Sequence, residues 1–134
     1  MKKITTKILI LAFMFSFLTL SLYSQADPAI SAYDEYIEAI NNANSLHDLN
    51  PYISKRKIET YGAMTEEKKK STLKFKKQIV RFTERKDIEA QSQGDNSMIT
   101  VNIIDKSSNN PATVEVNMVS EGGKWKLDKE KYKF

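Results

Sequence analysis

The chain has a helical pattern in its first half and a strand pattern in its second half. From residue 27 to about 79, apolar residues recur every three or four positions, the period of one face of an α-helix. From about 80 to 127, apolar and polar residues alternate, the period of a strand with one buried face. Because the two patterns are segregated, they favour an α+β domain over alternating βαβ units.

The first half predicts three helices. Asp27-Pro28 supplies an N-cap and a first helical residue, and the Asn-rich stretch Asn41–Asn44 ends the first helix. A short helix follows over Ser45–Ile53, with a further turn over Ser54–Gly62. The third helix spans Thr65–Gln78, with a capping Thr and acidic residues in its first turn, where the helix dipole favours them.

The second half predicts four antiparallel strands. The first covers Val80–Ala90, and the other three alternate around Val101, Val116 and Trp125. Connections of ordinary hairpin composition separate the strands, at 93–96, 107–111 and 121–123. A sheet with one apolar face needs a cover, which the helices supply. We therefore expect Ile37, Val101, Val116 and Trp125 to meet in a common interior.

Residues 1–26 have the layout of a secretory signal peptide. Three lysines precede an apolar run over Ile8–Leu22, and small residues then permit cleavage after Ser24 or Ala26. That run is 15 residues long, shorter than the roughly 20 that a membrane-spanning helix needs. The sequence thus predicts export to the periplasm or the exterior, with no stable membrane anchor after cleavage. Residues 27–134 are expected to form a single domain.

Removing the leader changes the charge balance. The whole chain carries a net charge of +4, and the loss of the three leader lysines reduces it to +1. A nucleic-acid partner is therefore not expected. The chain has no Cys and one His, which excludes disulfides, zinc–cysteine sites and thiol chemistry. We expect no metal site and no cofactor.

Few residues are candidates for chemistry. Asp34 and Glu38 lie one helical turn apart and are the weak candidates for a catalytic carboxylate. His47 has no supporting partner at a known spacing, so we interpret it as a surface residue. Aromatic residues with a polar tip suit both cores and pockets, and Tyr36, Tyr61 and Trp125 are the best ligand-binding candidates. The wider set of aromatic candidates adds Tyr33, Tyr52 and Phe82.

Lysines crowd the third helix and the last strand. On the helix they would present a basic surface to anionic polymers or lipid head groups, or serve only as a solvated face. On an edge strand they block unwanted strand addition. The helix set is Lys68, Lys69, Lys70, Lys74, Lys76 and Lys77, and the strand set is Lys124, Lys126, Lys129, Lys131 and Lys133.

Several local stretches carry a family resemblance: Ala32–Tyr36, Leu46–Ser54, Thr65–Lys69, Val114–Val119 and Glu121–Leu127. In these stretches, over about 28–130, the chain resembles small secreted bacterial proteins of the nuclear-transport-factor-2-like (cystatin-like, SnoaL-like) superfamily. The resemblance implies a cone-shaped fold, in which a curved sheet wraps a long helix and the open end often holds a ligand. Enzymes of that kind, such as ketosteroid isomerases, place a carboxylate and a partner Tyr or Arg inside the cone. No such set aligns with this chain.

These observations predict a non-enzymatic domain that binds a small ligand or an envelope protein in or near the cone. Two alternatives stay open. One is a carboxylate-dependent enzyme of the ketosteroid-isomerase type that uses Asp34 or Glu38. The other is binding of an envelope polymer through the basic third helix. The outer sheet face is polar at Thr113, Glu115 and Asn117, which favours a monomer or a weak dimer.

Overall fold

The computed structural model describes residues 26–134, so residues 1–25 of the predicted signal peptide lie outside the described part. Within residues 26–134, four helices come first and four strands follow. The helices are α1 (Pro28–Asn42), a 3₁₀ helix (Leu46–Tyr52), α2 (Lys55–Gly62) and α3 (Glu66–Phe82). The strands are β1 (Thr83–Gln93), β2 (Asn96–Asp105), β3 (Pro111–Glu121) and β4 (Lys124–Lys133). The α+β layout expected from the sequence is confirmed.

Helix α1 begins where the sequence predicts. The Asp27 carboxylate accepts hydrogen bonds from the backbone N–H groups of Ala29 (2.8 Å) and Ile30 (3.2 Å), which have no partner within the helix. Pro28 occupies the first helical position, where its missing N–H costs nothing. The helix buries one face: Ala29, Tyr33, Tyr36 and Ile40.

The expected number of three helices is wrong, because the segment between α1 and α3 forms two separate helices. Ile53 is extended, with φ −117° and ψ 158°, and makes a parallel bridge with Leu127. Ser54 then starts a new helix, since its hydroxyl accepts from the Lys57 N–H at 3.1 Å. Helix α3 is also longer than expected and ends at Phe82, so the first strand starts at Thr83 rather than Val80.

The four strands form one antiparallel sheet in the order β1-β2-β3-β4. Val101 and Val116 are buried in its core, and Ile37 and Trp125 pack against that core while partly exposed. Helix α1 contacts β1, β2 and β4 as well as α3. The expected common interior is therefore present. Strand β4 lies at an edge of the sheet, where its lysines discourage pairing with another chain.

A bulge in β4 decides which side chains enter the interior. Asn117 is opposite Lys129 and Met118 is opposite Leu127, so Asp128 is an extra residue on β4. Before the bulge the inward positions are odd-numbered, ending at Leu127. After it they are even-numbered, and the Glu130 side chain is only 3% exposed. The bulge therefore directs the Glu130 carboxylate into the core of the protein, although most charged residues of β4 are lysines.

The bulge residue also ties β4 to the start of α2. Asp128 accepts hydrogen bonds from the Ser54 hydroxyl (2.7 Å) and from Nε of Arg56 (3.0 Å). A second guanidinium nitrogen of Arg56 donates to the Asp128 carbonyl at 3.0 Å. Burial alone would raise the pKa of Asp128, but the hydrogen bonds from Arg56 and Ser54 outweigh it and hold the pKa below its usual value.

We expect Asp128→Ala to lower the free energy of unfolding by about 1–3 kcal/mol, because it leaves the buried Ser54 hydroxyl without its acceptor. Urea denaturation at pH 7 measures the change. Arg56→Gln is the matched comparison, because the Arg56 side chain is half exposed and its loss should matter less. Equal losses for the two variants would contradict a role for the buried Ser54–Asp128 bond.

Candidate functional site

An apolar groove lies where α3 ends, beside the connection between β2 and β3. Three phenylalanines border it and are unusually exposed for their size: Phe75 (44%), Phe82 (52%) and Phe134 (83%). Ile79, Pro111 and Ala112 complete the apolar lining. The cavity volume is about 560 Å³, within the usual range for small-molecule sites. We call this surface the aromatic groove.

Local hydrogen bonds fix the walls of the aromatic groove. The Thr83 hydroxyl donates to the Ile79 carbonyl at 2.6 Å, and the Lys106 N–H donates to the Phe82 carbonyl at 2.9 Å. Opposite them, Asp105 accepts from the N–H groups of Ser107 (2.7 Å) and Ser108 (3.1 Å). The Ser107 hydroxyl donates to the same carboxylate, and together with these backbone bonds it lowers the pKa of Asp105. The one carboxylate of the groove is therefore satisfied by its own turn, and most of the remaining lining is apolar.

Aromatic contacts hold the third wall. Phe75 meets Tyr132 edge to face, with ring centroids 5.6 Å apart at 88°. Phe134 stacks on the same Tyr132 ring at 6.3 Å and 12°. Tyr132 thereby connects the groove to the protein interior, where its hydroxyl is bonded.

A much smaller cavity lies between the helices and the sheet, with Ile37 and Val101 in its lining. Its volume is about 100 Å³, and it shares Ile79 and Thr83 with the aromatic groove. Tyr33, Arg85 and Tyr132 also line it. A space of this size is too small for a typical ligand, so the aromatic groove, not the inside of the sheet, offers room for one.

The interior beyond Tyr132 holds a buried ion pair. Nζ of Lys76 lies 2.7 Å from Oε1 of Glu130, and the two side chains are 7% and 3% exposed. Tyr36 donates to Oε1 of Glu130 at 2.6 Å, and Tyr132 donates to Oε2 at 2.9 Å. Lys76 also donates to the Tyr36 hydroxyl at 2.9 Å. We call these four residues the interior cluster.

The contacts of the interior cluster keep both members of its ion pair charged. Burial alone would raise the pKa of Glu130, but the Lys76 charge and three hydrogen bonds outweigh it and lower that pKa. Burial alone would lower the pKa of Lys76, but the attraction of Glu130 raises it. Burial also raises the pKa of Tyr36 and Tyr132, with Glu130 adding to the effect. A charged ammonium is a poor nucleophile, so the cluster is suited to a structural role.

Two of the three aromatic ligand-binding candidates lie around this cluster rather than in an open pocket. Tyr36 is fully buried, and Tyr61 is buried with the Lys76 ammonium 5.9 Å from its ring centroid. The Tyr61 hydroxyl has no hydrogen-bond partner in the described part of the chain. Trp125 lies apart, in a cleft of about 530 Å³ that it shares with Tyr52. The three residues are not brought together.

The carboxylate candidates are both exposed. Asp34 forms an ion pair with Arg85 at 2.8 Å and its side chain is half exposed. Glu38 borders a shallow hollow that also contains Glu35 and Asp48. Neither residue lines the small cavity between the helices and the sheet. His47 is exposed as well, with Nδ1 3.0 Å from the amide nitrogen of Asn50.

The basic third helix is not a uniform surface. Lys76 is buried in the interior cluster, and Lys69 forms an ion pair with Glu66 at 3.1 Å. Lys70, Lys74 and Lys77 line a second groove, beside the aromatic one.

Sequence reasoning missed most of the aromatic groove. Phe82 belongs to the wider set of aromatic candidates, but Phe75 and Phe134 do not. A signal was present, because Phe75 and Phe82 are seven residues apart and so lie on one face of a helix. Glu130 was also missed, since strand alternation without a bulge points it outward.

Comparisons of the chain with protein-family models, with characterised proteins and with solved structures gave no match. Between residues 26 and 134, no group of His, Cys, Asp or Glu side chains is placed to hold a metal ion. No helix in that same range is long and apolar enough to cross a membrane.

Proposed function

We propose that the chain is an exported, non-enzymatic binding domain of the nuclear-transport-factor-2-like type, and that it holds a small apolar ligand in the aromatic groove. The leader sequence supports export, and the order of helices and strands supports the family. The observation that carries the binding role is the groove itself. Two large phenylalanine rings stay about half exposed on a fixed wall beside a cavity of about 560 Å³.

An apolar ligand matches this surface. Exposed aromatic side chains grouped on a concave face stabilise a bound molecule by removing their surface from water, at roughly 25 cal/mol per Å². The groove is pre-formed, because Thr83, Asp105 and Tyr132 are held by their own hydrogen bonds or ring contacts. A ligand would therefore bind without a large ordering cost.

Catalysis is not part of the proposal. The groove carboxylate, Asp105, is occupied by its turn, and its pKa is lowered rather than raised toward neutrality. Asp34 and Glu38 are exposed to solvent and line neither the aromatic groove nor the smaller cavity. The interior cluster holds an acid and a base, but neither Lys76 nor Glu130 lines the aromatic groove or the smaller cavity.

Binding of the neutral dye Nile red tests this function. We expect the purified protein to enhance its fluorescence, and Phe75→Ala and Phe82→Ala each to weaken binding by about tenfold, because each removes an apolar wall. Both side chains are substantially exposed, so the variants should keep the thermal unfolding midpoint close to that of the parent.

Met98→Ala is the matched control, because Met98 is also a large exposed apolar residue (47%) but lies on β2 outside the groove. It should bind Nile red as the parent does. A protein that does not bind the dye, or one in which Met98→Ala weakens binding as much as Phe82→Ala does, would refute the proposed function.

A further inference from the structure

A second groove adjoins the aromatic groove on the other side of α3. Its volume is about 550 Å³, and Gln78 and Phe82 line both grooves and form the ridge between them. Its floor is apolar, with the buried Ala43 and Leu73. Its rim is basic, and four cations contribute to it: Lys70, Lys74, Lys77 and Arg81. We call this surface the basic groove.

The charge of the basic groove is uncompensated within residues 26–134. No acidic residue of that range lines it. None of its four cations forms an ion pair with a carboxylate of the described chain, whereas Lys69 and Lys76 on the same helix do. Arg81 lies over the Phe82 ring, 5.5 Å from its centroid, so cation and apolar wall are in direct contact. Positive charge and exposed aromatic surface therefore lie next to each other on α3, at Arg81 and Phe82.

We propose that the ligand of the two grooves is an anionic amphiphile, whose head group binds the basic groove and whose single hydrocarbon chain lies in the aromatic groove. The proposal rests on the proposed function and specifies its ligand class. A carboxylate or phosphate head group fits the four cations, because charge-assisted hydrogen bonds from Lys and Arg are the strongest a protein offers to an anion. A hydrocarbon chain that crosses Phe82 would cover the exposed ring.

The alternatives fit less well. A neutral apolar molecule would leave the four cations unused, and a purely ionic polymer would leave the phenylalanines exposed to water. A bilayer surface would contact both the cations and the phenylalanines. The two grooves are concave, however, and a groove encloses a single chain better than it matches a flat surface.

Displacement of bound Nile red by dodecanoate, dodecanol and dodecyltrimethylammonium tests the ligand class, with the two ions kept below their micelle concentrations and dodecanol below its solubility limit. We expect dodecanoate to displace the dye at a concentration about tenfold below that of dodecanol, and the cation to be the weakest. The advantage of dodecanoate should shrink as salt is raised, because the four cations are at the surface.

The Lys77→Gln/Arg81→Gln double variant should remove most of this advantage while leaving dodecanol unchanged. Lys68→Gln/Lys131→Gln is the matched control, because it removes the same charge from exposed positions that do not line the basic groove. Equal potency of dodecanoate and dodecanol, or an equal effect of the two double variants, would overturn the anionic head group.

Two further outcomes separate the competing explanations. Failure of Nile red itself to bind would refute the proposed function, whereas dye binding without preference for dodecanoate would refute only this inference. Sedimentation with anionic phospholipid vesicles, without displacement of the dye by monomeric dodecanoate, would assign the surface to a bilayer and overturn the single-chain ligand.

Discussion

Glu130→Gln should lower the free energy of unfolding by about 3–5 kcal/mol at neutral pH. The substitution keeps the shape of the side chain and an acceptor for Tyr36, but it removes the charge that compensates the buried Lys76 ammonium. An uncompensated charge in the interior is costly, because neutral acceptors such as the Tyr36 hydroxyl replace only part of its lost hydration. Urea denaturation followed by circular dichroism measures the loss.

Adding Lys76→Met to that variant should recover part of the stability. The double variant has no buried charge at this site, and the introduced amide oxygen still accepts from Tyr36, so we expect it to be more stable than Glu130→Gln alone by at least about 1 kcal/mol. Lys69→Met/Glu66→Gln is the control, an exposed pair on the same helix that should change stability little. Additive losses from the two interior substitutions would show that Lys76 and Glu130 do not act as a pair.

Alkaline pH should unfold the protein steeply. Burial raises the pKa of Tyr33, Tyr36 and Tyr132 well above the usual value near 10. A group whose pKa is raised by folding contributes stability that is complete below its unfolded pKa and is lost as the pH rises toward its folded pKa. Each of these phenols should therefore cost about 1.4 kcal/mol of stability per pH unit above pH 10.

Lys76 also loses its stabilising contribution as the pH rises, because its pKa is raised by folding as well. Lys57 opposes them, because burial lowers its pKa, but it is a single half-buried group. Three phenols together lose about 4 kcal/mol per pH unit, against a total stability of about 5–15 kcal/mol for a domain of this kind. We therefore expect unfolding to be complete by about pH 12.

Tyrosinate absorbance and circular dichroism, recorded through the same titration, check this expectation. The buried phenols should ionise together with the loss of helix rather than before it. Burial raises the pKa of Tyr61 as well. Tyr33→Phe should therefore make the loss of stability with pH about a fifth shallower, because it removes one of five groups, four phenols and Lys76, whose pKa is raised by folding. Ionisation of all tyrosines near pH 10 in a protein that keeps its helix signal would contradict the burial of these rings.

At acid pH the stability changes in the opposite direction, because it falls as the pH falls. The pKa of Glu130 is lowered in the folded protein, so its contribution is complete above the unfolded value near 4.3 and is lost as the pH falls through the folded pKa. The interior cluster should therefore stabilise the protein fully between about pH 4.3 and pH 10.

The layout of the chain was predictable because it follows from local rules. Asp27 caps α1 and Thr65 caps α3, as their side chains and neighbours indicate. Alternation of apolar residues around Val101 and Val116 placed both in the core. The number of helices was not predictable in the same way, because the break at Ile53 depends on its bridge to the distant Leu127.

The interior cluster could not be found from alternation, because a bulge changes which face of a strand is buried. One signal does mark it in the sequence. The lysines of β4 fall on even positions up to Lys126 and on odd positions from Lys129, so the solvent-facing set changes parity at Asp128. One extra residue between these two sets of lysines indicates a bulge.

The aromatic groove could not be predicted from the sequence, for a different reason. Helical spacing gives the angle between Phe75 and Leu73, but not how far the sheet extends beneath each of them. Leu73 is buried, whereas Phe75 is half exposed although one edge of its ring contacts Tyr132 of β4. Exposure of an apolar residue thus depends on tertiary structure that no local pattern contains.

The bulge at Asp128 makes β4 behave like two short strands joined out of phase. Loss of Asp128 would leave a regular strand in which Glu130 and Tyr132 still face the interior, but it would remove the bonds that tie β4 to Ser54 and Arg56. Loss of one residue in the β2–β3 connection would only shorten a loop. Among natural variants of this fold, changes in length should therefore accumulate in the hairpins and be purged from the ten residues of the last strand.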